Sequence, residues 1–142
     1  MKYIAKQINK AIFALILPFV AISCVSEDDI NAIFREQEWK LTYIKEGSVQ
    51  RYTKDKIYSI EFFEKTFTVT TPKGVTITGS WYANGNSSHS FECSNVQTRG
   101  NLNGDTIGLK MRDILKNAKS YSGDTNWLQI KQQDNVFMQF YN

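Results

Sequence analysis

Few side chains in this sequence have the chemistry of a catalytic centre. The chain has one histidine, His89, and two cysteines, Cys24 and Cys93. A histidine base needs a nucleophile or a carboxylate to orient it. Ser88 and Ser90 are adjacent to His89, and on a strand such neighbours point to the opposite face. Without such a partner for His89, the sequence predicts a protein that is not an enzyme.

The sequence also has few side chains that could bind a metal ion. Cys93 alternates with Phe91 in a strand-like stretch, which predicts a small buried hydrophobe rather than a reactive thiol. One histidine and one free cysteine are too few soft ligands for a zinc site. The sequence NLNGDT at 101–106 lacks the spaced carboxylates and the final glutamate of a calcium loop. We therefore expect no metal and no cofactor.

Cys24 stands at the end of an apolar segment. Three lysines precede the uncharged run AIFALILPFVA at 11–21. A basic start followed by an apolar run of about 7–15 residues is typical of a secretory signal peptide, and this run is shorter than the roughly 20 residues of a transmembrane helix. The residues AISC, ending at Cys24, resemble the lipobox of bacterial lipoproteins. That resemblance implies that residues 1–23 are a signal peptide and that Cys24 carries a diacylglyceryl group.

An acidic run follows this cysteine, formed by Ser26, Glu27, Asp28 and Asp29. It resembles the surface-export signal of lipoproteins from Bacteroides-type bacteria; the alternative is a solvated acidic tether with no address function. Two or more acyl chains hold a protein firmly on a membrane. We expect residues 24–34 to be a lipidated tether in the outer membrane, with the domain at the cell surface or, alternatively, on the periplasmic face.

The composition of the predicted mature chain differs from that of the whole sequence. The net charge of +3 comes from three lysines before Cys24, and the remaining chain has 14 basic and 14 acidic residues. No Lys/Arg cluster stands on a nucleic-acid-binding motif, so we expect no nucleic-acid partner. Residues 35–142 amount to one small domain.

Hydrophobic alternation dominates this domain. Apolar residues at every second position indicate half-buried strands, predicted at 39–44, 57–63, 66–71, 75–82, 89–96, 127–131 and 136–142. The segment 47–56 is polar and turn-like. Helical spacing appears between 105 and 121, where Asp105 or Thr106 can cap a helix. Many short antiparallel strands with one helix near the C-terminus predict a mainly β sandwich or small barrel.

Aromatic residues give this domain its one candidate ligand pocket. A small barrel can hold one apolar or amphipathic ligand. The candidate lining comprises Tyr43, Tyr58, Phe62, Gly79 and Trp81. The alternative is that these residues fill the core.

Several short motifs resemble those of the lipocalin-like, META-type small lipoproteins of Gram-negative bacteria. They are WKL at 39–41, GSWYANG at 79–85 and LKNAKSYSGDTNWLQI at 115–130. The resemblance implies an antiparallel meander that forms a lipocalin-like small barrel or half-barrel. The carrying residues are structural positions, namely Trp39, Leu41, Gly79, Trp81, Leu115, Tyr121, Gly123, Leu128 and Ile130.

Together, these features favour a membrane-anchored, non-enzymatic binding or interaction module of the cell envelope. Its partner would be a small apolar or amphipathic ligand or an envelope protein. The alternatives are a structural, envelope-maintenance lipoprotein that contacts a protein partner, and a hydrolase with converging acids such as Glu61 or Glu64 near Asp105.

Overall fold

The computed structural model of the chain describes residues 27–35, 37–85 and 89–142. The predicted signal peptide, Cys24 and Ser26 lie outside these residues, so the lipobox stays a prediction. Within the described ranges there is no helix long and apolar enough to cross a membrane. The same ranges contain two helices, α1 (Glu27–Phe34) and α2 (Thr106–Asn117), and nine strands: β1 (Glu38–Glu46), β2 (Val49–Tyr52), β3 (Ser59–Phe62), β4 (Thr66–Thr70), β5 (Thr76–Ala83), β6 (Phe91–Arg99), β7 (Ser120–Gly123), β8 (Trp127–Gln133) and β9 (Val136–Tyr141).

These strands form one antiparallel sheet that curls into a half-barrel. Their order is β6-β5-β4-β3-β1-β9-β8-β7, and β2 pairs with the second half of β1. The edge strands meet at one point, where an isolated bridge joins Ser90 and Ser120. There the Phe91 N–H donates to the Lys119 carbonyl at 3.0 Å. The predicted mainly β fold with a half-barrel is confirmed.

Alternating apolar side chains point into the curl and form the core. The sets predicted on β3, β4 and β8 are buried as expected. Helix α2 packs against β1, β6, β8 and β9, so it fills the space between the two halves of the sheet. The largest fully buried side chains are Phe34, Trp39, Ile44, Ile60, Phe62, Phe67, Ile77, Phe91, Met111, Leu115, Leu128 and Phe140.

The helix near the C-terminus begins where its capping residue predicts. Asp105 is the N-cap, and its carboxylate accepts the Gly108 N–H at 2.8 Å. Position 108, in the first turn of the helix, requires glycine. A Cβ there would come within 2.9 Å of the side chains of Leu102 and Asp105. The helix ends at Asn117, since Ala118 is already extended. The following residues, 120–123, form β7, a strand that the hydrophobic pattern does not indicate.

Two predictions around β1 were wrong. The alternation Trp39, Leu41, Tyr43 breaks because the register shifts between Leu41 and Tyr43. This bulge turns Tyr43 outwards and puts Ile44 in the core instead. The segment 47–56 is also not only a turn, because Val49–Tyr52 pairs with β1 as an exposed strand.

Helix α1 closes one end of the half-barrel. Its last residue, Phe34, is 0% exposed and packs against Phe62, Trp81 and Phe91. The indole N–H of Trp39 donates to the Ile33 carbonyl at 2.9 Å. The end of the predicted tether is therefore packed into the domain core.

Candidate functional site

The structure does not bring the five predicted pocket residues together around one opening. Phe62 and Trp81 are neighbours, with ring centroids 5.2 Å apart, and both pack against Phe34 of α1. The Trp81 indole N–H donates to the Phe63 carbonyl at 2.8 Å. The space beside these two rings is occupied by an aromatic side chain of the protein itself.

The other three candidates lie elsewhere. Gly79 faces the Phe67 ring, and a Cβ at Gly79 would approach that ring to 2.8 Å, so the glycine leaves room for Phe67. Tyr43 is on the outer face, with its ring 5.3 Å from the Tyr52 ring. Tyr58 is buried and points towards the start of α2.

The histidine and the described cysteine occupy different environments. His89 is exposed, and its ring lies 5.3 Å from the Tyr121 ring. Burial, with a smaller contribution from the charge of Glu92, raises the pKa of Cys93 to about 12. This thiol is therefore protonated at neutral pH and is a poor nucleophile.

A groove of about 480 Å³ lies at the end of the half-barrel remote from α1. We call it the loop groove. Three loops build it: the β2–β3 connection, the β4–β5 turn and the segment that leads into α2. Its lining residues are Tyr52, Thr53, Lys54, Asp55, Lys56, Tyr58, Pro72, Lys73, Gly104, Asp105, Thr106 and Ile107.

Hydrogen bonds hold the β2–β3 loop at both ends. The Thr53 hydroxyl donates to the Leu41 carbonyl at 3.0 Å, and the Leu41 N–H donates to the Tyr58 carbonyl at 2.8 Å. Between these anchors Lys54 has φ +54°, a conformation that a lysine rarely adopts. Such positions persist where the surrounding structure fixes them, and they cluster at ligand sites.

The floor of the groove is a polar pair formed by the buried Tyr58 and the half-buried Asp105. The Tyr58 hydroxyl donates to the Asp105 carboxylate at 2.7 Å, and the same oxygen accepts the Gly108 N–H. Burial raises the pKa of Tyr58, and Asp105 raises it further through its hydrogen bond and its negative charge. This pair fixes the β2–β3 loop to the start of α2. The Asp105 carboxylate therefore has a structural role, because it accepts hydrogen bonds from Tyr58 and Gly108.

The rim of the groove is predominantly basic. Lys54, Lys56 and Lys73 are exposed there, and the free carboxylate among the lining residues is that of Asp55. The ion pairs of the described residues do not include these lysines. A smaller groove of about 300 Å³ lies on the other side of the same loop and shares two of the lysines, Lys54 and Lys56. The arrangement can attract a negatively charged ligand.

Little in the amino-acid sequence indicates this site. The loop-groove residues come from three segments, 52–58, 72–73 and 104–107, and only Tyr58 belonged to the predicted pocket. The polar run TKDK at 53–56 was the one available signal. Glu61 and Glu64, the acids considered for a hydrolase, are not among the lining residues. In the part of the chain that the structure describes, no three His, Cys, Asp or Glu side chains are grouped as a metal site requires.

Fold and groove together define a small β half-barrel domain with a packed interior and an open, basic groove at one end. The chain belongs to the family described as a domain of unknown function, DUF4847, whose model matches residues 26–142. It is similar in fold to a DUF4847 family protein from Bacteroides vulgatus, known from a crystal structure. The TM-score is 0.61 and the identity 19%, over 79% of this chain and 96% of that one. No curated protein matches the sequence. The resemblance to META-type lipoproteins stays a prediction.

Proposed function

We propose that this chain is a non-enzymatic binding module of the cell envelope, attached to the outer membrane by lipid on Cys24. Its ligand is a small amphipathic anion, which binds in the loop groove. The observation that carries this proposal is the contrast between the two ends of the half-barrel. One end is filled by Phe34, whereas the other opens into a groove of about 480 Å³ rimmed by lysines.

The lining of the groove supports an amphipathic ligand. Tyr52, Pro72 and Ile107 supply apolar surface, and lysine ammonium groups surround it. Ligand sites typically combine apolar walls with a few placed polar groups. Hydrogen bonds at both ends hold the β2–β3 loop in place before a ligand binds. This preorganisation reduces the entropy lost on binding.

Titration monitored by amide NMR tests the ligand half of the proposal. Benzoate is the probe and benzyl alcohol its neutral counterpart. We expect saturable shifts from benzoate at residues 52–58 and 104–107, and much weaker shifts from the alcohol. The double variant Lys54→Gln/Lys73→Gln should reduce the difference, because it removes two of the three lysine charges at the rim. Both lysines are exposed, so their loss leaves the fold intact. Equal or absent shifts with the two probes would contradict an anion site in this groove.

Mass spectrometry of the mature N-terminus tests the anchor half. The supporting outcome is a first residue Cys24 that carries acyl chains. Protease treatment of intact cells, comparing wild type with Glu27→Ala/Asp28→Ala/Asp29→Ala, then distinguishes the two locations. Cleavage only in wild type indicates the cell surface, and protection of both proteins indicates the periplasmic face. An unmodified Cys24 rejects the anchor.

A further inference from the structure

We infer that the α1 end of the half-barrel rests on the lipid surface, with Phe63, Tyr82 and Trp127 at the membrane–water interface. The inference rests on the proposed lipid at Cys24. It adds an orientation of the domain to that proposal. A long flexible tether would allow any face of the domain to approach the membrane, whereas a short one restricts which face can do so.

Only a short stretch of chain separates the anchor from the folded domain. Helix α1 begins at Glu27, only three residue steps after Cys24. Three steps of extended chain span at most about 11 Å. The end of α1 is fixed by the buried ring of Phe34 and by the hydrogen bond from Trp39 to Ile33. A lipid on Cys24 therefore holds this end of the domain close to the bilayer.

Three exposed aromatic side chains lie at the same end of the half-barrel as α1. Phe63 directly follows β3, Tyr82 is next to the last residue of β5, and Trp127 is the first residue of β8. All three strand ends lie at the end of the half-barrel where β1 begins. The three side chains are 46%, 60% and 39% exposed, respectively.

Contacts connect these residues to α1. Tyr82 lines a small groove together with Ile30 and Asn31 of the helix. The Phe63 carbonyl accepts the indole N–H of Trp81, which packs on Phe34. On the third side, the Asn142 amide donates to Gln37, just after α1, and to the Thr125 carbonyl, two residues before Trp127.

The chemistry of these side chains suits a membrane–water interface. Single exposed aromatic residues are common on soluble proteins. Tyr and Trp, however, are enriched at the level of lipid headgroups, where one part of the ring system is apolar and the other is wet. Tyr82 and Trp127 are two such residues, and together with the exposed ring of Phe63 they surround the end that bears the anchor, which fits a lipid surface. The acyl chains supply the attachment, and the rings fix the tilt of the domain.

Matched spin-label positions test the inference. In a Cys93→Ser background, Phe63→Cys is compared with Val49→Cys, because the native side chains are 46% and 48% exposed. Val49 pairs with Glu46 at the far end of β1, about 26 Å from Glu38 at about 3.3 Å per residue. The acylated protein is placed in vesicles of equal parts phosphatidylethanolamine and phosphatidylglycerol. Power-saturation EPR then measures the access of a nickel chelate and of oxygen to each label.

We expect nickel access at position 63 of the acylated protein on vesicles to be at least about threefold lower than in the soluble protein expressed from Val25, because interfacial groups sit about 5–10 Å into the headgroup boundary. Nickel access to the label at position 49 should not change. A second pair, Tyr82→Cys and Tyr52→Cys, repeats the comparison at 60% and 56% exposure. Acylated protein with equal access at both ends would overturn the orientation and leave the anchor intact. Protein with an unmodified Cys24 would overturn the anchor itself, and mass spectrometry reports that outcome separately.

Discussion

Replacing Phe34 with alanine tests whether α1 belongs to the folded domain. The Phe34 ring lies 5.0 Å from the rings of Phe62 and Trp81, 5.1 Å from Tyr121 and 5.5 Å from Phe91. The substitution removes this ring from a fully buried site. Phe→Ala changes in cores typically destabilise by about 3–5 kcal/mol, because a cavity remains. Aromatic pairs add about 0.5–1.5 kcal/mol each to the energy of burial, so we expect the upper part of that range.

Urea denaturation of protein expressed from Val25, followed by tryptophan fluorescence, measures this loss. With a slope of about 2 kcal/mol per molar urea, a loss of about 4 kcal/mol lowers the midpoint by about 2 M. Phe63→Ala is the matched control, because it is the same chemical change at an exposed position. It should lower the free energy of unfolding by less than about 1 kcal/mol.

The comparison refutes the reasoning if the two variants lose similar stability. That result would mean that α1 is loosely attached and that the sheet alone makes the core. It would also remove the support for a fixed orientation on the membrane, since a detached helix lengthens the tether.

Three further predictions concern the core and the groove floor. Because the pKa of Cys93 rises from 9.0 to about 12 on folding, the protonated thiol contributes stability below pH 9 that is lost as the pH rises through 12. The free energy of unfolding should therefore fall by up to about 1.4 kcal/mol per pH unit in urea titrations above pH 9, and Cys93→Ala should flatten the onset of that fall. Gly79→Ala should destabilise by about 1–3 kcal/mol in the same assay, because the new methyl group meets the Phe67 ring at 2.8 Å and a backbone carbonyl at 2.9 Å. Asp105→Ala should lower stability by about 1–3 kcal/mol, because it removes the helix cap and the acceptor of the Tyr58 hydroxyl. Tyr58→Phe should have a smaller effect, and an equal loss in both variants would contradict the capping role.

Much of the sheet follows from simple alternation. The strands β3 and β4 have a strict period of two, and their inward residues are those that the period predicts. β1 departs from the period because a bulge inserts one extra residue, and nothing in WKLTYI marks that insertion. β2 is exposed along its whole length, so it lacks the apolar alternation that identifies strands.

The candidate site was much harder to predict than the fold. Its residues come from three loops that only the curl of the sheet brings together. Tyr58 and Asp105 are 47 positions apart in the chain, and their hydrogen bond depends on where α2 starts. Large aromatic residues suit both a ligand pocket and a hydrophobic core, and most of those predicted for a pocket lie in the core or on the outer face. Lysines in loops are common, so the polar run TKDK at 53–56 was only a weak signal, and Lys73 is near it only in the folded structure.

The position of β9 in the sheet has a consequence for how the chain folds. The last strand lies in the middle of the sheet, between β1 and β8. Its pairing with β1 joins residues 90 to 101 positions apart. Such distant pairing slows folding, because the entropy of closing a long loop is lost before the contacts compensate for it. During synthesis β1 has no β9 to pair with until at least 90 further residues have been made, which keeps this segment open for translocation if the chain is exported as we propose. A truncation that removes β9 would split the sheet at its centre instead of trimming an edge.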